Sequence, residues 1–320
     1  MRSFNQYKYL PALIIFSVAV TVSAQVSVGK RAAVASGPNS KMFDAAQLIR
    51  DIQTLSADDM EGRSADRPAM RKARDHVEKR FRESGIQPIG AAYTQEFDIK
   101  LRGSGEVFKG INFVGQIKGR EHPEKYIVVT AHYDHEGIVK GAIYNGADDN
   151  ASGTAALFAI ASYFKKHQPD HSIIFVAFDA EEKGLVGARH FVANLPVKKE
   201  SIMLNINMDM ISRNDKGELY AVGTYHYPQL KAPLEAVQKT ARVKLLLGHD
   251  DPKLVHDDWT SQSDQGAFHR EKIPFIYFGV EDHKDYHKPT DDFANIQPEF
   301  YVRAVETVLE AVLTFDKGGF

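Results

Sequence analysis

The sequence predicts a single α/β domain whose central β-sheet is mixed, mostly parallel, and covered by helices on both faces. Short apolar runs rich in Ile, Val and Phe, typical of strands buried on both sides, alternate with stretches in which apolar residues recur at helical spacing. This alternation favours a parallel sheet, and 320 residues, 43% of them hydrophobic, can bury one large core. No linker divides the chain after its first 40 residues, so we expect one domain over residues 41–320.

The individual elements follow from the spacing of apolar residues. Helices are predicted over residues 42–55, 67–84, 152–166, 186–195 and 299–315. The second helix has Met70, Val77 and Phe81 on one stripe and ends before Gly85. An alternating pattern predicts a strand over residues 96–101, and nearly continuous apolar runs predict strands over 126–130, 172–178, 202–208 and 274–278.

The N-terminus has the pattern of an export signal. Arg2 and Lys8 precede an apolar run over residues 10–22, which ends in small residues at the spacing that signal peptidase accepts. The run is short for a membrane span, although an uncleaved anchor is the alternative. We therefore expect a signal peptide over residues 1–24, a small and polar linker over 25–40, and an exported protein, periplasmic or secreted, without stable membrane insertion after cleavage.

Charge and cysteine content exclude several classes of function. The formal net charge is −2 and there is no basic run, so nothing predicts nucleic-acid binding. The chain has no cysteine, which excludes disulfides, a catalytic thiol and thiolate metal ligands. Any metal ion must therefore be held by His, Asp and Glu side chains. The oligomeric state is left open.

Acidic and histidine residues cluster where the predicted strands end. The clusters are residues 131–135, 146–153, 179–182, 209 and 286–291. Each has an ordinary explanation as a helix cap, a solvated acidic turn or a surface histidine. Together, however, they would place many carboxylates at the carboxyl edge of one sheet, where ligands bind. Such a cluster is costly unless cations pair with it, and zinc accepts imidazole and carboxylate ligands.

Five motifs, in this order, make the sequence resemble the M28 zinc aminopeptidases. They are His132-Tyr133-Asp134, Gly146-Ala147-Asp148-Asp149-Asn150-Ala151-Ser152-Gly153, Glu181-Glu182-Lys183-Gly184-Leu185-Val186-Gly187, Asp209-Met210 and Tyr286-His287-Lys288-Pro289-Thr290-Asp291. The resemblance extends from about residue 48 to the C-terminus and includes residues 56–63. It implies the zinc-exopeptidase type of phosphorylase/hydrolase-like fold, without an inserted protease-associated domain.

The resemblance also implies two Zn²⁺ ions per chain that share one carboxylate. The implied ligands are His132, Asp149 and Asp209 for one ion, and Asp149, Glu182 and His287 for the other. Asp149 is preferred to Asp148 as the shared ligand because the family's bridging Asp has this spacing to the following Ser-Gly pair.

The implied activity is the removal of residues from the free amino end of peptides. Glu181 would be the general base towards a water that bridges the metals and would then protonate the leaving amine. Asp134 would hydrogen-bond the far ring nitrogen of His132 and fix its tautomer. The free α-amine of the substrate would bind near the second zinc and nearby carboxylates.

Three alternative functions use the same residues differently. A glutaminyl cyclase would use one zinc, but such relatives usually have Trp where this chain has Tyr286, and usually lack the Gly-Leu-x-Gly continuation found at 184–187. A carboxypeptidase or dipeptidase would need a cation for the substrate's carboxylate, for which Arg213 is a candidate. A metal-free binding domain should have lost ligands or the base, yet all six are present.

Some features are left open by the sequence. Gln265 stands where many relatives have His, which affects only an expected pocket contact. The aromatic-rich segment 216–261 fits either a lid over the pocket or a packed surface excursion. The preferred N-terminal residue is not predicted, and the ligand set does not separate zinc from cobalt or manganese.

Overall fold

A nine-stranded β-sheet runs through the structure, a computed structural model that describes residues 37–100, 103 and 105–318. The strands, with two that form a separate hairpin (β5 and β6), are β1 (Gln87–Pro88), β2 (Thr94–Lys100), β3 (Val107–Ile117), β4 (His122–His132), β5 (Gly137–Val139), β6 (Ala142–Tyr144), β7 (His171–Phe178), β8 (Ile202–Met208), β9 (Glu218–Val222), β10 (Lys244–Leu247) and β11 (Phe275–Gly279). The predicted signal peptide and most of the predicted linker lie outside the described residues, so these assignments stay predictions.

The middle of the sheet is parallel and its flanks are mixed. The spatial order is β1-β3-β7-β4-β8-β11-β9-β10, and β2 pairs with β3. Strands β7, β4, β8 and β11 run parallel to one another, whereas β3 and β9 pair antiparallel with the outer members of this group. His132 is level with Phe178, and Met208 with Phe278, so the chain leaves these four strands at one edge. The predicted mixed, mostly parallel sheet is confirmed.

Helices cover both faces of this sheet. They are α1 (Ala45–Leu55), α2 (Met70–Glu83), α3 (Gly153–Phe164), α4 (Val186–Ala193), α5 (Lys231–Gln238), α6 (Gln265–Arg270) and α7 (Pro298–Asp316). Alternate residues of β4 point to opposite faces: Ile127 and Val129 pack towards α1, α2, α3 and α7, and Val128 packs towards α4 and α6. Across the part of the chain that the structure describes, no helix is both long and apolar enough to cross a membrane.

The predicted helices and strands are all present, with shifted ends. Helix α1 begins at Ala45, later than expected, because the Asp44 carboxylate accepts a hydrogen bond from the Gln47 amide and caps the helix there. The prediction missed β3, which mixes polar and apolar residues. It also missed the short strands β1, β5 and β6, helix α6 and the elements between residues 216 and 261.

The segment 216–261 is a packed part of the domain. It contains β9, α5 and β10, and its two strands extend the sheet beyond β11. Tyr220 and Trp259 are buried against Phe275 and Tyr277 in a small aromatic cluster. Most of the segment is therefore packed, as one of the two interpretations expects, and Trp259 and Ser261 at its end also line a pocket.

Candidate metal centre

The residues of the expected site meet at the carboxyl edge of the sheet. His132 is the last residue of β4, Glu181 and Glu182 follow β7, and Asp209 follows β8. Because these strand ends are level, their side chains converge. Asp149 enters from the turn Ala147–Ser152 that leads into α3, and His287 from the loop after β11.

The first group of possible ligands is buried. His132 Nε2 lies 3.4 Å from Asp149 Oδ1 and 3.3 Å from Asp209 Oδ1. Tetrahedral ligands bound to zinc at about 2.0–2.1 Å are about 3.3 Å apart, so this spacing fits one ion. His132 Nε2 and Asp209 Oδ1 are also buried without a hydrogen-bond partner among the described residues. Unpaired buried polar atoms are costly, and a cation would satisfy both.

The second group lies on the other side of Asp149. His287 Nε2 is 3.1 Å from Asp149 Oδ2 and 3.6 Å from Glu182 Oε2. The two carboxylate oxygens of Asp149 therefore face two different sets of ligands. This is the arrangement required of a carboxylate that is shared by two metal ions.

Neighbouring groups hold Asp149 in place. The Asp291 carboxylate accepts hydrogen bonds from the main-chain amides of Asp148 and Asp149, at 2.9 and 3.0 Å. Gly146 is in the left-handed region at φ 55°, and a Cβ atom there would lie 2.1 Å from the Asp149 carbonyl oxygen and 2.5 Å from the His135 ring. Gly146 and Asp291 of these motifs thus have structural roles, because both hold the turn that carries Asp149.

Asp134 orients the acidic pair that follows β7. Its Oδ1 accepts a hydrogen bond from the Glu181 amide at 3.0 Å, and its Oδ2 accepts one from the Glu182 amide at 3.3 Å. The Nδ1 atom of His132 lies 3.2 Å from the Asp134 main-chain carbonyl and 3.6 Å from its carboxylate. The carbonyl, rather than the predicted carboxylate, is therefore the nearer partner of the imidazole. The carboxylate instead fixes the main chain of Glu181 and Glu182.

The acidic side chains destabilise one another when no cation is bound. Burial, followed by the negative charge of neighbouring carboxylates, raises the pKa of Glu182 to about 7. Burial also raises the pKa of Glu181 well above its usual value, and raises that of Asp149, which is next to Glu182. Divalent cations would offset this repulsion and keep the carboxylates ionised.

Two residues at the centre were given no role by the sequence analysis. His135 is fully buried, with Nδ1 2.8 Å from Glu182 Oε1 and 3.8 Å from Asp149 Oδ2, so it orients Glu182 or adds a ligand to the second group. Asp264 is fully buried, and neither of its carboxylate oxygens has a hydrogen-bond partner in the described structure. Burial raises its pKa to about 8. Only their positions next to other motif residues could have indicated them.

Gln265 and Arg213 both have structural partners. Gln265 is buried: its amide group donates a hydrogen bond to the Trp259 carbonyl and accepts one from Asn207. Gln265, which replaces the His of many relatives, therefore supports Trp259, a residue of the pocket lining. Arg213 is buried in an ion pair with Asp285. It does not line the pocket at the centre, so it is not the cation that a carboxypeptidase would require.

A pocket of about 480 Å³ opens beside the centre. Its lining includes Asp149, Glu181, Glu182, Asp209 and His287. The lining is completed by residues of α4, α6 and the segment around Trp259, with Asp282 and Tyr286 from the loop after β11. A substrate can therefore reach the proposed ligands from one side.

Known proteins resemble this chain in sequence. Residues 112–312 match the family model described as Peptidase family M28. Aminopeptidase YwaD of Bacillus subtilis (strain 168) is 32% identical over 236 residues, which cover 70% of this chain and 49% of that protein. The chain thus spans about half the length of this relative.

Solved structures share the fold. A zinc aminopeptidase from Bacillus subtilis superposes with a TM-score of 0.70 at 19% identity, covering 86% of this chain and 96% of that one. A glutaminyl cyclase from Bacteroides thetaiotaomicron gives a TM-score of 0.67 at 19% identity, covering 86% of this chain and 99% of the cyclase. These likenesses establish the zinc-exopeptidase fold, and the sequence match adds the family: the chain belongs to peptidase family M28.

Proposed function

We propose that this protein is an exported two-zinc aminopeptidase that hydrolyses the first peptide bond of peptides with a free N-terminus. The observation that carries the proposal is the position of the Asp149 carboxylate between two histidines. Its Oδ1 lies 3.4 Å from His132 Nε2, and its Oδ2 lies 3.1 Å from His287 Nε2. An enzyme with one metal ion would not need a carboxylate whose two oxygens face different groups of ligands. The activity named for the Bacillus subtilis relative, an aminopeptidase, supports the same reaction.

The zinc ligands follow from the two groups. His132, Asp149 and Asp209 would hold the buried ion. Asp149, Glu182 and His287 would hold the ion that faces the pocket. His135 lies close enough to Asp149 and Glu182, and Glu136 to Glu182 and His287, to add a ligand there. Zinc at such a centre supplies Lewis acidity, which polarises a carbonyl group and makes water acidic near neutral pH.

Glu181 is the proposed general base. It lines the pocket but belongs to neither ligand group, and the Asp134 carboxylate holds its main-chain amide at 3.0 Å. Its carboxylate accepts a proton from the attacking water and then donates it to the leaving amine. Asp134 is a positioning residue, because it fixes both the base and the ligand Glu182.

The acidic pocket wall suits a free amino group. Asp282 lines the pocket, is exposed there, and accepts no hydrogen bond from a described residue. An α-ammonium group bound there would gain a charge-assisted hydrogen bond that an interior peptide bond could not offer. Recognition of the free amine would restrict cleavage to the first residue of the substrate.

Export is proposed from the sequence alone. The basic residues and the apolar run before position 24 support a cleaved signal peptide and a periplasmic or secreted enzyme. Mass spectrometry of the protein recovered from the cell envelope and the medium tests this proposal. A protein that still begins at residue 1 would contradict cleavage.

The decisive experiment combines metal content with turnover. The purified protein should contain two zinc ions per chain and release nitroaniline from alanyl-p-nitroanilide, but not from its N-acetylated form. Glu181→Gln should keep both metals and lower kcat by about 10²–10⁴-fold, the usual contribution of a general base. Glu200→Gln, an exposed residue away from the site, is the matched control.

Each alternative predicts a different result. One zinc per chain and cyclisation of an N-terminal Gln would replace the proposal with a glutaminyl cyclase. Cleavage of the acetylated substrate would exclude recognition of the free amine. Unchanged turnover in Glu181→Gln would remove Glu181 as the base.

A further inference from the structure

The pocket beside the metal centre is also lined by two arginines. Arg189 lies on α4 and Arg270 is the last residue of α6, and both line the same pocket as the proposed ligands. The two helices pack side by side through Phe191 and Phe268, whose ring centroids are 6.0 Å apart. The arginines therefore reach the pocket from neighbouring helices.

Arg189 is tied to the turn that carries the catalytic residues. Its guanidinium group donates a hydrogen bond to the Gly184 carbonyl, and the Gly184 amide in turn donates one to the Glu181 carbonyl at 2.7 Å. Gly184 itself lines the pocket. This contact places a positive charge on the same short turn as the proposed base.

Neither arginine has an acidic partner within the described residues. The Gly184 carbonyl is the one hydrogen-bond acceptor that Arg189 contacts there, and Arg270 forms neither an ion pair nor a side-chain hydrogen bond. Both side chains are exposed at the pocket. Elsewhere on this surface arginines are commonly paired, as Arg82 is with Glu78 and Arg120 with Asp170. The two pocket arginines therefore have donors free for a ligand.

The pocket thus combines groups of opposite charge. Its lining includes Asp149, Glu181, Glu182, Asp209 and Asp282, and also Arg189 and Arg270. Guanidinium groups bind carboxylates with paired, charge-assisted hydrogen bonds. A peptide that is bound by its amine among the acidic groups would bring a carboxylate near the scissile bond into the same pocket as the two arginines.

We propose that Arg189 and Arg270 form a carboxylate-binding subsite, so that the enzyme prefers peptides with a carboxylate close to the scissile bond. This inference rests on the proposed aminopeptidase function and adds its substrate class. The carboxylate comes either from an acidic side chain of one of the first two residues or from the C-terminus of a dipeptide. Both sources offer the same chemistry to the arginines.

The test uses three pairs of peptides that differ only by carboxylate against amide. They are Glu-Ala-amide with Gln-Ala-amide, Ala-Glu-amide with Ala-Gln-amide, and Ala-Ala with Ala-Ala-amide. We expect kcat/KM to favour the carboxylate member at least about 10-fold in one pair, as for a hydrogen bond to a charged group. That pair identifies the source of the carboxylate.

The variants Arg189→Gln and Arg270→Gln should each move this ratio towards one, by a larger loss on the carboxylate member than on its partner. Arg189→Lys should retain part of the preference because it keeps the charge. Arg303→Gln, an exposed arginine on α7 outside the pocket, should change neither the rates nor the ratio.

The outcomes separate the two proposals. No carboxylate preference in any pair, or an unchanged ratio in both glutamine variants, overturns the subsite. If none of the six peptides is cleaved, the aminopeptidase proposal fails. Calorimetric binding of the same peptides then decides on the subsite: a carboxylate preference that is lost in the variants supports it, and equal binding overturns it.

Discussion

The two halves of the metal centre differ in how the protein holds them. The half around His132 is built on the ends of central strands, and His132 and Asp209 are 1% and 7% exposed. In the other half the His287 side chain is 38% exposed and comes from a loop, with its main chain in the left-handed region at φ 50°. The strand ends therefore fix one set of residues before any metal binds, whereas the other set depends on His287, a loop residue that faces the pocket.

This difference implies separate roles for the two proposed ions. A cation in the buried half compensates atoms that water cannot reach, so its loss should affect the fold as well as the reaction. A cation in the pocket-facing half has an open side towards the substrate, so it should exchange more readily and take part in substrate binding. Asp149 is the proposed ligand that couples the two halves.

The largest effect is expected when this coupling residue is changed. Asp149→Asn should lower the zinc affinity of both halves together and reduce kcat by more than about 100-fold, since even residues that only support metal ligands commonly contribute 10–100-fold. Zinc content after dialysis, together with kcat, measures both effects. Retention of one zinc at full affinity would contradict a shared carboxylate.

The second largest effect distinguishes the two halves of the metal centre. His132→Ala and His287→Ala should each leave about one zinc per chain, but His132→Ala should lower the free energy of unfolding more, by about 3 kcal/mol, because it leaves buried carboxylates unpaired. Thermal melting at equal zinc concentration measures the difference. Equal losses of stability in the two variants would remove the asymmetry.

The smallest effect concerns pH in the chelated protein. Burial and neighbouring acids raise the pKa of Glu182 to about 7, above the value of about 4.5 expected in the unfolded chain. The folded state therefore binds more protons between these values, and its stability should fall as the pH rises from about 4.5 to about 7. Melting temperatures with and without chelator measure this, and zinc should flatten the dependence. A stability that rises over this range without metal would contradict it.

The sequence predicted the framework of the centre better than its surroundings. The central strands were found because both of their faces are apolar, and the ligands follow those strands in recognisable motifs. Strand β3 was missed because it mixes polar residues such as Lys109 and Asn112 with glycines, a pattern that only its neighbours in the sheet explain. The ligand assignments themselves stay predictions until metal is measured.

Contacts between distant segments were beyond the sequence. The buried contact of His135 with Glu182 joins residues 47 positions apart. Only the packing of α4 against α6 shows that Asp264 is buried without a partner and that Arg189 and Arg270 share one pocket. Periodicity shows which residues are buried, but it does not show which polar groups meet.

Arg63 determines where a recombinant fragment of this domain can begin. Its fully buried guanidinium group donates hydrogen bonds to the carbonyls of Leu55, Tyr133, Asn145 and Gly146, at 2.5 to 2.8 Å. It thereby joins the end of α1 to the two loops that deliver His135 and Asp149. The family match begins only at residue 112. A recombinant fragment that starts there would lack this junction and leave four carbonyl groups without their donor, so an expression boundary belongs upstream of α1.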